Sequence, residues 1–114
     1  MSQRTEQVGE EIKKAIGEIL TKEIDDPRKG FVTLTRVAMS ADLRHAKVFY
    51  SVIGDDTQKL ATQEMFEEHL RDIRHSVARK VHLKFAAELQ FVFDPSIEDS
   101  FRIDAILKKI KKEE

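Results

Sequence analysis

Residues 32–52 read VTLTRVAMSADLRHAKVFYSV, and the fold turns on how this stretch is read. Val32 to Met39 is rich in β-branched side chains, which suit a pleated, half-buried surface. Ala46, Val48, Tyr50 and Val52 alternate with His45, Lys47, Phe49 and Ser51, the period of a strand with one face turned inward. Ser40-Ala41-Asp42-Leu43-Arg44 supplies the connection, although no Asn-Gly pair marks it. The stretch is therefore expected to form a two-stranded hairpin.

On its N-terminal side the spacing predicts a helix from about Gln3 to Ile24. Val8, Ile12, Ala15, Ile16, Ile19, Leu20 and Ile24 recur at steps of three and four, which puts them on one face. Asp26-Pro27 stops it, because the residue before a proline is driven out of the helical region. On the C-terminal side Gly54-Asp55-Asp56 ends the hairpin and either Asp can cap the next helix. That helix carries Phe66, Leu70, Ile73, Val77 and Val81 as its core stripe. A third strand runs from Leu89 to Phe93 and closes at Asp94-Pro95. A short amphipathic helix on Ile103, Ile106, Leu107 and Ile110, introduced by Asp99-Ser100, ends in lysines that suit the negative end of its dipole. Neither repeats nor a low-complexity linker interrupt the chain. The expected architecture is a small α+β sandwich forming one domain over residues 1–114.

The composition narrows the function. Hydrophobic residues make up 40% and charged residues 36%, a balance that suits a folded, soluble chain. Without cysteine there are no disulfides and no thiolate metal sites, in keeping with a reducing compartment. The start of the chain is too polar for a secretory signal, and no apolar run approaches the roughly 20 residues that span a bilayer. A cytoplasmic protein with no membrane partner is expected. Net charge is −1, so any affinity for nucleic acid must come from sorting of charge rather than excess. Such sorting exists. From Asp55 to Glu68 five acids face one lysine, whereas from Arg71 to Lys84 five cations face only Asp72.

The order of elements would fit many small domains, and particular residues narrow it. Arg4-Thr5-Glu6, Asp26-Pro27-Arg28, Val32-Thr33-Leu34-Thr35-Arg36-Val37, and Asp42-Leu43 leading to Ala46-Lys47-Val48 resemble the first half of the ribosome-binding factor A family. Ile73-Arg74, Glu88-Leu89 with Phe91 and Asp94, and Ile97-Glu98 resemble its second half. The resemblance runs in order from Arg4 to about Leu107. It implies a KH-like domain of the prokaryotic type, in the order helix, strand, strand, helix, helix, strand. Three strands would form one sheet with helices on one face, and a short C-terminal helix would follow. The core would occupy residues 3–95 and an extension residues 96–114. The family lacks the Gly-x-x-Gly loop of other KH domains and carries a small-residue kink between two helices. This chain reads His69-Leu70-Arg71 where that Ala-x-Gly kink would align, and Ala87 where a proline is usual before Glu88. The function implied is binding of the small ribosomal subunit and its ribosomal RNA, assisting late RNA maturation. No enzyme activity, cofactor, metal or small-molecule substrate is implied, and a monomer is expected.

Spacing supplies candidate contacts independently of the family. If 68–82 is helical, Arg71, Arg74, His75, Ala78, Arg79 and His82 form a stripe beside the core stripe. Ala78 is a low point between cations, where a phosphate backbone can come close and arginine can grip it with two hydrogen bonds. Lys80 and Lys84 extend the stripe, and Arg28, Lys29 and Arg44 are further candidates. The alternative is a solvated helix face. Two other functional readings are a protein-interaction module using acidic Glu64, Glu67 and Glu68, and a general RNA-binding adaptor. The aromatic residues, among them Phe31, Phe49, Tyr50, Phe91 and Phe101, read mostly as core, with Phe85 the candidate for exposure. His45, His69, His75 and His82 lack the paired spacing of a zinc site. Neither a phosphate-cradling glycine loop nor a nucleophile elbow is present.

Overall fold

The computed structural model describes residues 3–95, apart from the side chain of Phe31. Helix α1 spans Gln3–Lys22, strands β1 and β2 span Val32–Met39 and His45–Val52, helix α2 spans Asp56–Lys80, and strand β3 spans Glu88–Phe93. A single 3₁₀ turn, Pro27–Phe31, joins α1 to β1. The strand order is β1-β2-β3, with β1 and β2 antiparallel and β2 and β3 parallel. A parallel pair cannot be closed by a tight turn, so α2 is the crossover that returns the chain to the sheet.

The hairpin link works without Asn-Gly because Asp42 supplies the turn chemistry. Its Oδ1 accepts hydrogen bonds from Ser40 Oγ at 2.7 Å and from the Arg44 N–H at 3.0 Å. These bonds hold the Asp42 carboxyl below its ordinary range. Leu43 takes the left-handed conformation the turn requires, at φ 62°. In β1 the register shifts between Leu34 and Arg36, and the displaced Thr35 reaches Asp94 beyond β3, Oγ1 to Oδ2 at 3.1 Å. Val48, Tyr50 and Val52 of β2 are buried beside Ile12, Ile16 and Ile19 of α1 and Met65, Phe66, Ile73 and Val77 of α2. Phe66 links helix to sheet, stacking on Phe91 at 4.1 Å between ring centroids and meeting Tyr50 at 4.8 Å.

Two expectations are corrected. The anticipated helix–helix break is absent: α2 runs unbroken from Asp56 to Lys80. Neither glycine nor proline occurs between Asp55 and Val81, and His69-Leu70-Arg71 contains nothing that disrupts a helical backbone. The helix also ends earlier than 82. Val81 is extended, at φ −113° and ψ 117°, with its N–H still bonded to Val77 O at 2.8 Å. His82 and Lys84 therefore lie in the loop after α2 and do not prolong its stripe. The expected C-terminal helix, with Phe101, lies outside the described residues. None of the described helices is long and apolar enough to cross a membrane.

Candidate nucleic-acid interface

Asp55 starts α2 with a reciprocal cap. Its side chain accepts the Gln58 N–H at 3.0 Å, while Gln58 Oε1 accepts the Asp55 N–H at 2.9 Å. Burial of Ile73, Ser76 and Val77 then fixes the rotation of the last turns, leaving Arg71, His75 and Ala78 exposed on the far side. Arg71, Arg74, His75 and Ala78 line a notch of about 190 Å³, closed by Ala86 from the loop before β3. Arg71 carries no ion pair or side-chain hydrogen bond among the described residues, and neither does His75. Arg74 Nη2 donates to Glu88 Oε1 at 2.8 Å, while its Nε is buried without a partner.

Arg44 and Lys84 sit on the same side of the molecule, brought there by the start of β3. The Glu88 N–H donates to Arg44 O at 2.7 Å, which draws the hairpin tip against the 81–87 loop. The Arg44 guanidinium lies 4.2 Å from the centroid of the Phe85 ring and Lys84 Nζ lies 5.6 Å from it. Both are attractive cation–π contacts. Phe85 remains 46% exposed, too open for a core aromatic. His82 is exposed in the same loop.

The other candidates face α1 or the chain's own carboxylates. Arg79 Nη2 donates to Ser76 Oγ at 2.9 Å and lies 3.7 Å from Glu23 Oε1. Lys80 Nζ is 3.7 Å from Glu23 and 4.0 Å from Glu18. Arg28 grips Asp26 through Nε at 3.0 Å and Nη2 at 2.7 Å, and its Nη2 also reaches Glu68 Oε2 at 2.5 Å. Those hydrogen bonds hold the Asp26 and Glu68 carboxyls below their ordinary range and raise the Arg28 guanidinium. Lys29 Nζ donates to Leu20 O at 2.7 Å and to Ile24 O, satisfying carbonyls at the end of α1.

The structure thus brings Arg71, Arg74, His75 and Ala78 together, sets Arg44 and Lys84 near them, and gives Arg28, Lys29, Arg79 and Lys80, as well as Arg74, partners within the chain. What sequence reasoning missed is Ala86 as the notch wall, Glu88 as the counterion of Arg74, and the meeting of Arg44 with Phe85. Each is a contact between segments distant in sequence. Asp26, Glu68 and His69 offer three possible metal-ligand atoms within 4.8 Å of one another. The set does not suit a cation, because the Arg28 guanidinium already neutralises both carboxylates.

Residues 4–107 match the family described as Ribosome-binding factor A. The Ribosome-binding factor A of Halothermothrix orenii is 43% identical over 112 residues, covering 98% of this chain and 92% of that protein. The crystal structure of ribosome-binding factor A from Thermus thermophilus superposes with a TM-score of 0.68 at 19% identity, covering 77% of this chain and 93% of that one. Coordinates of the Thermus thermophilus factor fitted into a cryo-EM map of its 30S complex give a TM-score of 0.63 at 19% identity, over 80% and 96% of the two chains. These likenesses at low identity carry the fold alone: an α+β, KH-like arrangement of the prokaryotic type with a mixed three-stranded sheet. With helix, hairpin, crossover helix and closing strand in family order, and the match spanning both halves, the chain belongs to the ribosome-binding factor A family of non-enzymatic ribosome assembly factors.

Proposed function

We propose that this chain acts in the cytoplasm as a monomeric assembly factor, binding the small ribosomal subunit through its ribosomal RNA and assisting late maturation of that RNA. Binding one RNA conformation in preference to others shifts the population toward it, so no chemistry is required of the protein. The observation that carries this reading is the exposed notch of Arg71, Arg74, His75 and Ala78, with Arg44 and Lys84 near it, on a chain whose net charge is −1. Arg28, Lys29, Arg79 and Lys80 serve chiefly to hold the fold. The Thermus thermophilus factor fitted in a 30S complex supports the choice of subunit.

Co-sedimentation with purified small and large subunits over graded salt tests the proposal. Selective binding to small subunits is expected, weakening as salt rises because phosphate contacts release counterions. Charge reversal at Arg71 together with Arg74→Gln, which avoids a second carboxylate against Glu88, should abolish it and leave the fold intact. Equal affinity for free RNA would indicate a general adaptor. Absence of RNA and subunit binding would point to the acidic side of α2, where Glu64 and Glu67 are exposed.

A further inference from the structure

Three large apolar side chains are exposed among the described residues: Ile53, Leu60 and Phe85. Phe85 is the one of the three with cations over its face, and it stands directly before Ala86, which walls the arginine notch. Consecutive Cα atoms are about 3.8 Å apart, so the residue that carries the aromatic ring and the residue that walls the recess are neighbours on one loop. The Arg44 guanidinium has no hydrogen bond or ion pair among the described residues. Its guanidinium lies over one face of the Phe85 ring, so the two form a layered cation–aromatic pair, and the exposure of Phe85 leaves part of that pair open to a ligand. Arg36 over Phe49, 4.0 Å from the centroid, is a similar pair, but Phe49 is half-buried and lies on β2, away from the notch.

We infer that the Arg44–Phe85 pair and the adjoining Arg71–Arg74 notch together form a site for one unpaired nucleotide of RNA, its base stacked on the pair and its phosphate in the notch. This rests on the RNA-binding reading above and adds to it a base contact that charge alone does not supply. Every nucleobase has a π-face, so the site tolerates any sequence while demanding that the base be unstacked from its neighbours. It therefore selects single-stranded or flipped positions over regular duplex. Phosphate gripped by arginine positions the strand, and the ring reads whether a base is free. Connection between the two halves is direct: Glu88 accepts from Arg74 through its side chain and donates its N–H to Arg44 O.

The test uses the full chain, a single-stranded RNA dodecamer, inorganic polyphosphate and purified small subunits. Phe85→Leu keeps apolar bulk and removes the π-face, and Arg44→Lys keeps the charge and removes the planar group. Phe85→Leu should weaken binding to the dodecamer by about 5- to 150-fold, the range of a lost base stack, and leave polyphosphate binding and the salt slope unchanged. Arg44→Lys should show the same pattern at smaller size. Upfield shifts of the Phe85 ring protons on adding the dodecamer, absent with polyphosphate, would report the stack directly. If the wild-type chain binds subunits and RNA but Phe85→Leu binds the dodecamer equally well, the nucleotide site is overturned and the RNA reading stands. Equal losses toward dodecamer and polyphosphate overturn it as well. A wild-type chain that binds neither RNA nor subunits overturns both.

Discussion

Asp26 illustrates how much one side chain can organise. Its carboxylate accepts the Arg28 N–H at 3.0 Å, takes the Arg28 guanidinium, and lies 3.1 Å from His69 Nε2 on α2. It thus caps the 3₁₀ turn and ties that turn to the crossover helix. Asp26→Asn keeps the size and loses the charge, and should destabilise the fold by about 1–2 kcal/mol at neutral pH in urea unfolding. The pH dependence has a definite sign. Because Arg28 lowers the folded-state carboxyl below its unfolded value, its contribution is complete above the ordinary carboxylate range and is lost as pH falls through the folded value. The gap between wild type and Asp26→Asn should therefore close progressively below about pH 4, and a gap that stays constant down to about pH 2.5 would contradict this. Sequence alone offered Arg28 and Lys29 as further candidates for RNA contact. Their partners, Glu68 forty residues away and the end carbonyls of α1, are invisible without the fold.

Elements were more legible than contacts. Alternation in 45–50 and the stripe of α1 gave β2 and the first helix, because period and burial agree there, whereas β1 was read from its β-branched residues and Ser51, expected outward, is buried. The 3₁₀ turn escaped notice, since five residues beginning with proline carry no periodic signal. The break expected in α2 came from a family habit that this chain's own residues do not support. Within α1, two glycines that look alike in sequence should behave oppositely. A Cβ on Gly9 would sit 2.8 Å from Val37 O, where α1 crosses β1 and backbone cannot yield. Gly9→Ala should cost about 1–3 kcal/mol, as overpacking does. Gly17 has nothing within 4 Å of the same position, and Gly17→Ala should gain about 0.5–1 kcal/mol from helix propensity. Thermal melts of the two variants must move in opposite directions.

At the scale of the molecule, charge sorting was readable from the sequence but its neutralisation was not. Five cations between Arg71 and Lys84 looked equivalent, yet α1 approaches from one side and brings Glu18 and Glu23 to Lys80 and Arg79. The open notch lies on the side that α1 leaves uncovered. Reversing Arg71 together with Arg74→Gln should accordingly lower small-subunit affinity more than reversing Arg79 and Lys80, measured as the salt at which half the protein is released. A larger effect from the second pair would move the interface to the α1 side. Among the described residues the core joins α1, α2, β2 and β3, with β1 packed against it, so Leu89→Ala, at a buried position of β3, should cost about 2–5 kcal/mol in a single unfolding transition.

The parallel partnership of β2 and β3 has a consequence for how the chain is made. The hairpin can zip as soon as residue 52 has emerged, but the partner for its free side is synthesised only after the whole of α2. Until Phe93 appears, β2 offers a row of unanswered peptide groups beside an uncovered apolar seat, the situation in which nascent strands pair with the wrong neighbour. Premature termination within 80–88 would freeze that vulnerable stage and yield a product prone to clump rather than a smaller working protein.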